Sequence, residues 1–512
     1  MIKTALLSSL LYFSFLCATP VEQMHRKAQL AKIQEHDLKK LLLFSSLYPQ
    51  TDEGINALRQ AWKLLDKYSE SPSHATEAIS PHFADVALGC LSLIEPEYFS
   101  SPPLLSRSAI EYIRSLQVPL PNRTLKGYHA SSLEELEDLE PEHIDVARAV
   151  LLLEQTPPEV GHSIEASLDI LALSILSQIG TNATDKAKIS AINKTLFHDM
   201  NIRYPPLSKA QEGVERYSDL SSVLSSKKGI CLGTTVVYLC LAQRLGLPLT
   251  VYTPPGHIFL AHNDRVIETT ARGIHIPLKS YLGLSLSRVP SKNLKQVIGS
   301  VAFNKAGALL RQERWERALE QYALVSRFDA DETLEQITAL CELLAGNPRM
   351  SQKRAQKQLL TLPEHLLEHD PLLIDLAHNR LSEKAARELL KSASFSKSEE
   401  QTSIPIFEEL LKKCPYSLVI SLHLSQLYAQ YGKMPQAQVI LEKLCQREQV
   451  PASVHFQLAF MYTAQMNYPK AWKQTGLAYD RFSQKGRIPE PLKELISFLQ
   501  HHSPQQEAIC PI

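Results

Sequence analysis

The sequence predicts an α+β core with a helical region before it and an all-α solenoid of paired helices after it, making the chain predominantly helical. Three observations carry this reading. Residues 228–270 read as one helix followed by short strands. The flanking segments show helical periodicity broken by proline and serine. Towards the C-terminus, small and aromatic residues recur at 34-residue spacing. At 512 residues the chain exceeds what one core holds, and about two to four domains are expected.

The chain opens with Lys3 and an apolar run from Ala5 to Cys17, with Ala18 as a cleavage end before Thr19. That length is short for a membrane span and typical of a secretory signal. Residues 1–18 are therefore expected to direct export, to a periplasmic or fully secreted destination at the cell envelope. Membrane attachment would come only through that segment if it stayed uncleaved. Phe15 and Leu16 are bulky where a lipoprotein site at Cys17 wants small residues. Loss of residues 1–18 would leave Cys90, Cys231, Cys240, Cys341, Cys414, Cys445 and Cys510, an odd set that keeps at least one thiol outside intrachain disulfides.

Residues 19–139 read as a supporting helical layer without chemistry of its own. GINALRQAWKLLDKY and ADVALGCLSLI carry helical periodicity, and SPPLLS and PLPNRT interrupt it. EELEDLEPEH reads as a solvated helix start. Residues 140–294 are expected to form the α+β core, with EASLDILALSILSQI its most apolar and most buried helix.

Within that core, Gly229 and Cys231 open a helix whose apolar residues Leu232, Val236, Leu239 and Cys240 recur at helical spacing until Arg244, Gly246 and Pro248 stop it. Cys231 then lies in the first turn, where free backbone N–H groups and the helix dipole favour a thiolate. Cys240 lies nine residues on, about 900° around, and faces the core. Leu249–Tyr252 reads as a short strand and Pro254-Pro255-Gly256 as a rigid loop. His257–His262 and Arg265–Thr270 read as two strands joined at Asn263-Asp264. A two-residue loop pairs His262 with Arg265, Phe259 with Glu268 and His257 with Thr270. His257 and Glu268 become diagonal neighbours on one face, about 7 Å apart at the backbone. A three-residue loop would put them on opposite faces.

Gly-x-Cys opening a helix, Leu-Gly-Leu-Pro after it, a Pro-Gly-His strand and an acidic residue two before threonine together resemble the transglutaminase-like superfamily, whose core is papain-like. NKTLFHDMNIRYPP and DLSSVLSSKKG upstream are similar to its bacterial branch, in which such a domain precedes tetratricopeptide repeats. The resemblance covers roughly residues 140–290. It implies that Cys231 is the nucleophile, His257 the base and Glu268 the orienting carboxylate. Superfamily enzymes usually carry aspartate in place of Glu268, the Cys-to-His spacing here is short, and many members of the branch lack the cysteine.

The parts suit acyl transfer. A thiolate attacks a carbonyl carbon, histidine moves the proton, and water or an amine releases the acyl group. The sequence does not choose between peptide or amide hydrolysis and transglutamination. The alternative is a scaffold that has lost turnover and assembles proteins at the cell envelope. A third reading, a metal-dependent hydrolase using His257, His262 and His275, would require zinc; the absence of tight Cys/His ligand pairs argues against a metal. No cofactor is expected.

Residues 295–500 are expected to be tetratricopeptide-type repeats, with 501–512 as a tail. Ala459, Tyr462 and Ala471 stand where such a repeat wants small, aromatic and small residues. Ser425, Tyr428, Gly432 and Ala437 precede them, and Ala437 and Ala471 are 34 residues apart. Ala306, Leu309, Ala318 and Tyr322 mark an earlier repeat, with atypical repeats from about Glu342 to Phe407. Stacked pairs leave a concave groove for a peptide or protein partner. Acidic and basic residues balance at 54 each, with no basic stripe, which excludes nucleic acid as the expected partner. Glycine-rich phosphate loops are absent, which counts against a nucleotide enzyme.

Overall fold

The computed structural model describes residues 20–48, 51–66, 105–115, 120–205, 217–254, 256–277, 281, 289–329, 332–361, 370–393, 396–447, 450–483 and 488–503. The expected signal segment, the ADVALGCLSLI helix and the tail beyond residue 503 lie outside them; His501 and His502, expected in the tail, belong to the last helix. The chain divides into two compact units, Met1–Asn304 and Lys305–Ile512.

Helices form most of the first unit: α1 (Pro20–Ala31), α2 (Leu38–Leu47), α3 (Asp52–Asp66), α4 (Arg107–Ser115), α5 (Leu133–Glu137), α6 (Val146–Leu153), α7 (Pro158–Ile179), α8 (Asp185–Asn193), α9 (Leu220–Ser226) and α10 (Cys231–Arg244). The apolar run expected to be most buried is α7, whose residues 165–176 are all buried. Among the described residues α7 is the one helix long and apolar enough to cross a membrane. Asp145 caps α6 by accepting from the Arg148 N–H at 2.8 Å. Gln243 near the end of α10 accepts from the Val146 N–H at 2.9 Å and donates to the Ile144 carbonyl at 2.8 Å, fixing α10 against the start of α6. The unit boundary falls inside α11 (Leu294–Arg311), downstream of the expected change at residue 294.

Beside α10 stand five short antiparallel strands: β1 (Thr250–Tyr252), β2 (Phe259–His262), β3 (Arg265–Glu268), β4 (Ile274–Pro277) and β5 (Ser291–Lys292), in the order β4-β3-β2-β1-β5. The Asn263-Asp264 connection has two residues, Asn263 adopts φ 53°, and His262 faces Arg265. The strands are shorter than expected at both ends. His257 precedes β2, its N–H donating to the Pro254 carbonyl at 3.0 Å within a turn. After β3, the Glu268 carboxylate accepts from the Thr270 N–H at 3.0 Å and coils the chain into a 3₁₀ turn, Thr269–Ala271. The expected His257–Thr270 pair is therefore absent. β4 and β5 were not expected: β5 has two residues and no apolar signal.

The second unit continues as helical pairs: α12 (Trp315–Phe328) after α11, then α13 (Glu332–Leu344) with α14 (Pro348–Thr361), and α15 (Pro371–Ala377) with α16 (Glu383–Ser392). A single helix, α17 (Lys397–Lys413), precedes α18 (Leu418–Gln430) with α19 (Met434–Cys445), α20 (Ala452–Ala464) with α21 (Tyr468–Ser483), and α22 (Glu490–His502). Leu418 and Ala452 open the first helices of the last two pairs and Met434 and Tyr468 the second, both 34 residues apart. Ala437, Ala459 and Ala471 are fully buried, as the close approach of paired helices requires. Tyr428 donates to Glu408 at 2.6 Å and Tyr462 to Glu442 at 2.5 Å, the same bond one repeat on.

The middle pairs keep the same local geometry. A left-handed residue ends the first helix of each pair, at Glu313, Gly346, Asn379, Gly432 and Met466. The next N–H reaches back to Leu309, Glu342, Asp375, Tyr428 and Tyr462 at 2.8–2.9 Å, the Schellman closure. Within the stretch expected to be atypical, α17 carries Pro405 inside the helix and accepts the Tyr428 bond at Glu408.

Candidate active site

Cys231 is the first residue of α10, and its position is set from below by backbone. The Ile230 N–H donates to the Tyr217 carbonyl at 3.1 Å, and the Gly229 N–H to the Arg203 carbonyl at 3.1 Å. No side chain fits at two points of this approach. A Cβ on Gly233 would lie 2.2 Å from the Tyr217 carbonyl oxygen, and one on Gly229 would lie 2.4 Å from the Thr234 hydroxyl. The first intrahelical bond joins the Thr234 N–H to the Ile230 carbonyl, so the N–H groups of the opening turn precede the ladder. Thr235 and Thr269 share a buried hydroxyl contact at 3.1 Å, tying α10 to the turn after β3.

The fold brings Cys231, His257 and Glu268 together. His257 Nε2 lies 2.8 Å from Glu268 Oε2, and the Cys231 thiol is close enough to the same ring to raise its titration. With Nε2 engaged by the carboxylate, Nδ1 is the nitrogen left to face sulfur. The Cys231 thiol, then the bond to Glu268, raise the imidazole from its usual 6.5 to about 10 against the opposing effect of burial. Burial also works against ionised Glu268, but bonds from His257, Thr270 and Tyr281 outweigh it and hold the carboxyl at about 2, below its usual 4.5.

Three residues complete the surroundings without having been singled out in the sequence. Tyr281 is buried, donates its hydroxyl to Glu268 Oε2, and packs edge-on against Phe259 with ring centres 5.0 Å apart. Burial, then Glu268, push its phenol up. Thr270 donates its hydroxyl to Glu268 Oε1 at 2.5 Å; sequence reading had it as a strand partner and as the threonine of the motif, with no role at the site. Tyr204 stands beside Cys231, and burial followed by the thiol's charge raises its phenol. Local pattern offers no signal for Tyr281 or Tyr204, which lie far from Cys231 in the sequence.

Cys240 is fully buried and burial pushes its thiol up, so α10 carries two cysteines in opposite environments. His262 turns to Asp185 at 3.1 Å rather than to His257, and His275 lies opposite Ile267 on β4. Among the described residues no group of three or more His, Cys, Asp or Glu side chains could hold a metal ion.

Residues 162–280 match the family model described as the transglutaminase-like superfamily. This segment is a transglutaminase-like domain. It contains Cys231, His257 and Glu268, and it begins inside α7 and ends just before Tyr281. No curated protein sequence matches the chain. Among solved structures, the crystal structure of the APC/C hetero-tetramer Cut9-Hcn1 aligns over 90% of this chain and 86% of its own, at 14% identity and a TM-score of 0.21. At that score the two chains do not superimpose as wholes.

Proposed function

We propose that the transglutaminase-like domain is a cysteine-nucleophile acyl-transfer enzyme. The observation that carries this is His257 bonded to the Glu268 carboxylate with the Cys231 thiol beside the same ring. The carboxylate holds the ring's Nε2 proton and stabilises the imidazolium that forms when Nδ1 takes the thiol proton. The Cys231 thiolate attacks an amide carbonyl carbon. The backbone N–H of Cys231, ahead of the helical ladder, serves as a donor to the oxygen that becomes negative. Collapse breaks the C–N bond, the imidazolium proton goes to the departing amine, and a thioester remains. Water or an amine then attacks that thioester, His257 takes its proton, and the thiolate leaves.

The substrate class is an amide in a peptide or protein. Paired helices with the 34-residue recurrence support a protein- or peptide-binding role for the second unit. The apolar run Ala5–Cys17 after Lys3 supports export as part of the same reading. Mass spectrometry after incubation with an activated peptidyl ester tests the chemistry. The expected product is an acyl adduct on Cys231 that wild type clears and that His257→Ala forms far more slowly. An adduct no more frequent on Cys231 than on other thiols would leave a binding scaffold as the better reading.

A further inference from the structure

Glu268 is one bond longer than the aspartate that superfamily enzymes usually carry, so its carboxylate has one more torsion to fix. We infer that Tyr281 is a positioning residue of the acyl-transfer site, holding Glu268 Oε2 against His257 so that the imidazole keeps one orientation. The inference rests on the cysteine-nucleophile reading of that site and adds a residue to it. Tyr281 lies one position beyond the segment that matches the family model.

The carboxylate is held on both sides. Oε1 accepts from the Thr270 hydroxyl at 2.5 Å and from the Thr270 N–H at 3.0 Å. Oε2 lies 2.8 Å from His257 Nε2 and accepts from the Tyr281 hydroxyl. An ionised carboxylate offers about four acceptor sites, and these contacts fill them. The Thr270 bonds come from two residues along the chain and restrain Oε1 alone. A glutamate pinned at Oε1 can still swing Oε2 about that point. Among the described residues Tyr281 is the one partner of Oε2 besides His257, and it comes from 13 residues away. Its hydroxyl gives Oε2 a fixed place, and that place faces Nε2.

The hydroxyl is held in turn by its ring. Tyr281 is buried in one apolar cluster with Phe259 and Val266, against which Tyr252 and Ile276 pack. The Tyr281 ring meets Phe259 edge-on at 5.0 Å, and Phe259 stacks on Tyr252 at 5.6 Å. Phe259 opens β2 two residues after His257, and its ring centre lies 6.3 Å from the imidazole. The cluster that anchors Tyr281 thus lies beside the histidine itself. Phenylalanine would fill the same apolar space, so the hydroxyl serves Oε2 rather than the packing. Burial, then Glu268, push the phenol up, and it remains a donor while His257 titrates.

Turnover of the activated peptidyl ester by the full chain tests the inference, in wild type, Tyr281→Phe, Glu268→Gln and the double variant. Tyr281→Phe should lower kcat about tenfold with KM unchanged, the loss expected of one hydrogen bond to a charged group. In the Glu268→Gln background the same substitution should change kcat by less than about twofold, because Tyr281 acts through that carboxylate. The urea midpoint of Tyr281→Phe should stay near that of wild type, since the ring still fills the cluster. An undiminished kcat would overturn the inference, as would losses that simply multiply in the double variant. A Tyr281→Phe chain without a cooperative urea transition would overturn it too, by assigning the hydroxyl to the fold. A wild type that forms no adduct on Cys231 would sink the enzymatic reading and this inference with it, an outcome told apart because it needs no variant.

Discussion

The two ends of α10 solve opposite problems with similar residue types. At the N-terminal end a thiol, an imidazole and a carboxylate meet where Cys231 is only partly covered, and His257 sits above its usual value while Glu268 sits below. At the other end Arg244 is fully buried against Asp169, and Cys240 is sealed in core. Charge at the first end meets a partly covered thiol; charge at the second fixes the helix. The comparison teaches that exposure and partner, more than residue type, set apart the two cysteines of one helix.

The largest expected effect breaks the first end. Cys231→Ala should lower acyl-transfer activity by about 10⁴-fold or more, since the residues act as one unit. Its unfolding free energy should stay within about 1 kcal/mol of wild type, as read by urea denaturation. Loss of the fold would instead assign Cys231 to packing.

Breaking the second end should do the reverse. Arg244→Met removes one partner from a buried pair and should cost about 3–5 kcal/mol in urea unfolding. Cys231 alkylation in the protein that remains folded should persist. A variant as stable as wild type would show that Arg123 alone compensates Asp169.

Glu268→Gln sharpens the comparison through pH. Glu268 is held at about 2 instead of 4.5, so its contribution is present above pH 4.5 and lost as pH falls through about 2. His257 is raised from 6.5 to about 10, so its contribution is full below pH 6.5 and lost as pH rises through about 10. The Tm difference between wild type and Glu268→Gln should therefore be greatest between pH 4.5 and 6.5 and shrink on either side. A difference that does not vary with pH would mean that the pair is not ionised as described.

Cys240→Ala is the smallest perturbation. Removing a buried sulfur should cost about 1–2 kcal/mol and leave Cys231 labelling unchanged. Coupling between the two substitutions would show that the thiols are not independent.

Much of the first end was legible because it is local. Gly229, Cys231 and Gly246 mark one helix, and Asn263-Asp264 sets the hairpin register within six residues of both His257 and Glu268. The strand limits were not legible, because the Glu268 side chain itself ends β3 by bonding Thr270. Tyr281 was missed for a related reason: its place against Phe259 and Glu268 is set by tertiary contacts, not by local pattern. The second end was not legible: Arg114 and Arg123 fall in the expected helical layer and Arg148 and Arg244 in the expected core, and they meet only through α7. In the solenoid, Tyr428 and Tyr462 showed the recurrence, whereas Gly346 and Asn379 carried the same turn without the side-chain pattern.

The most direct test of the account is the pH dependence of Cys231 alkylation by iodoacetamide in wild type, His257→Ala and Cys231→Ala. Fast labelling at Cys231 below pH 7, absent in Cys231→Ala and collapsing in His257→Ala, is the result the Cys–His–Glu arrangement predicts. Slow labelling with the profile of an ordinary thiol, unchanged by loss of His257, would contradict it.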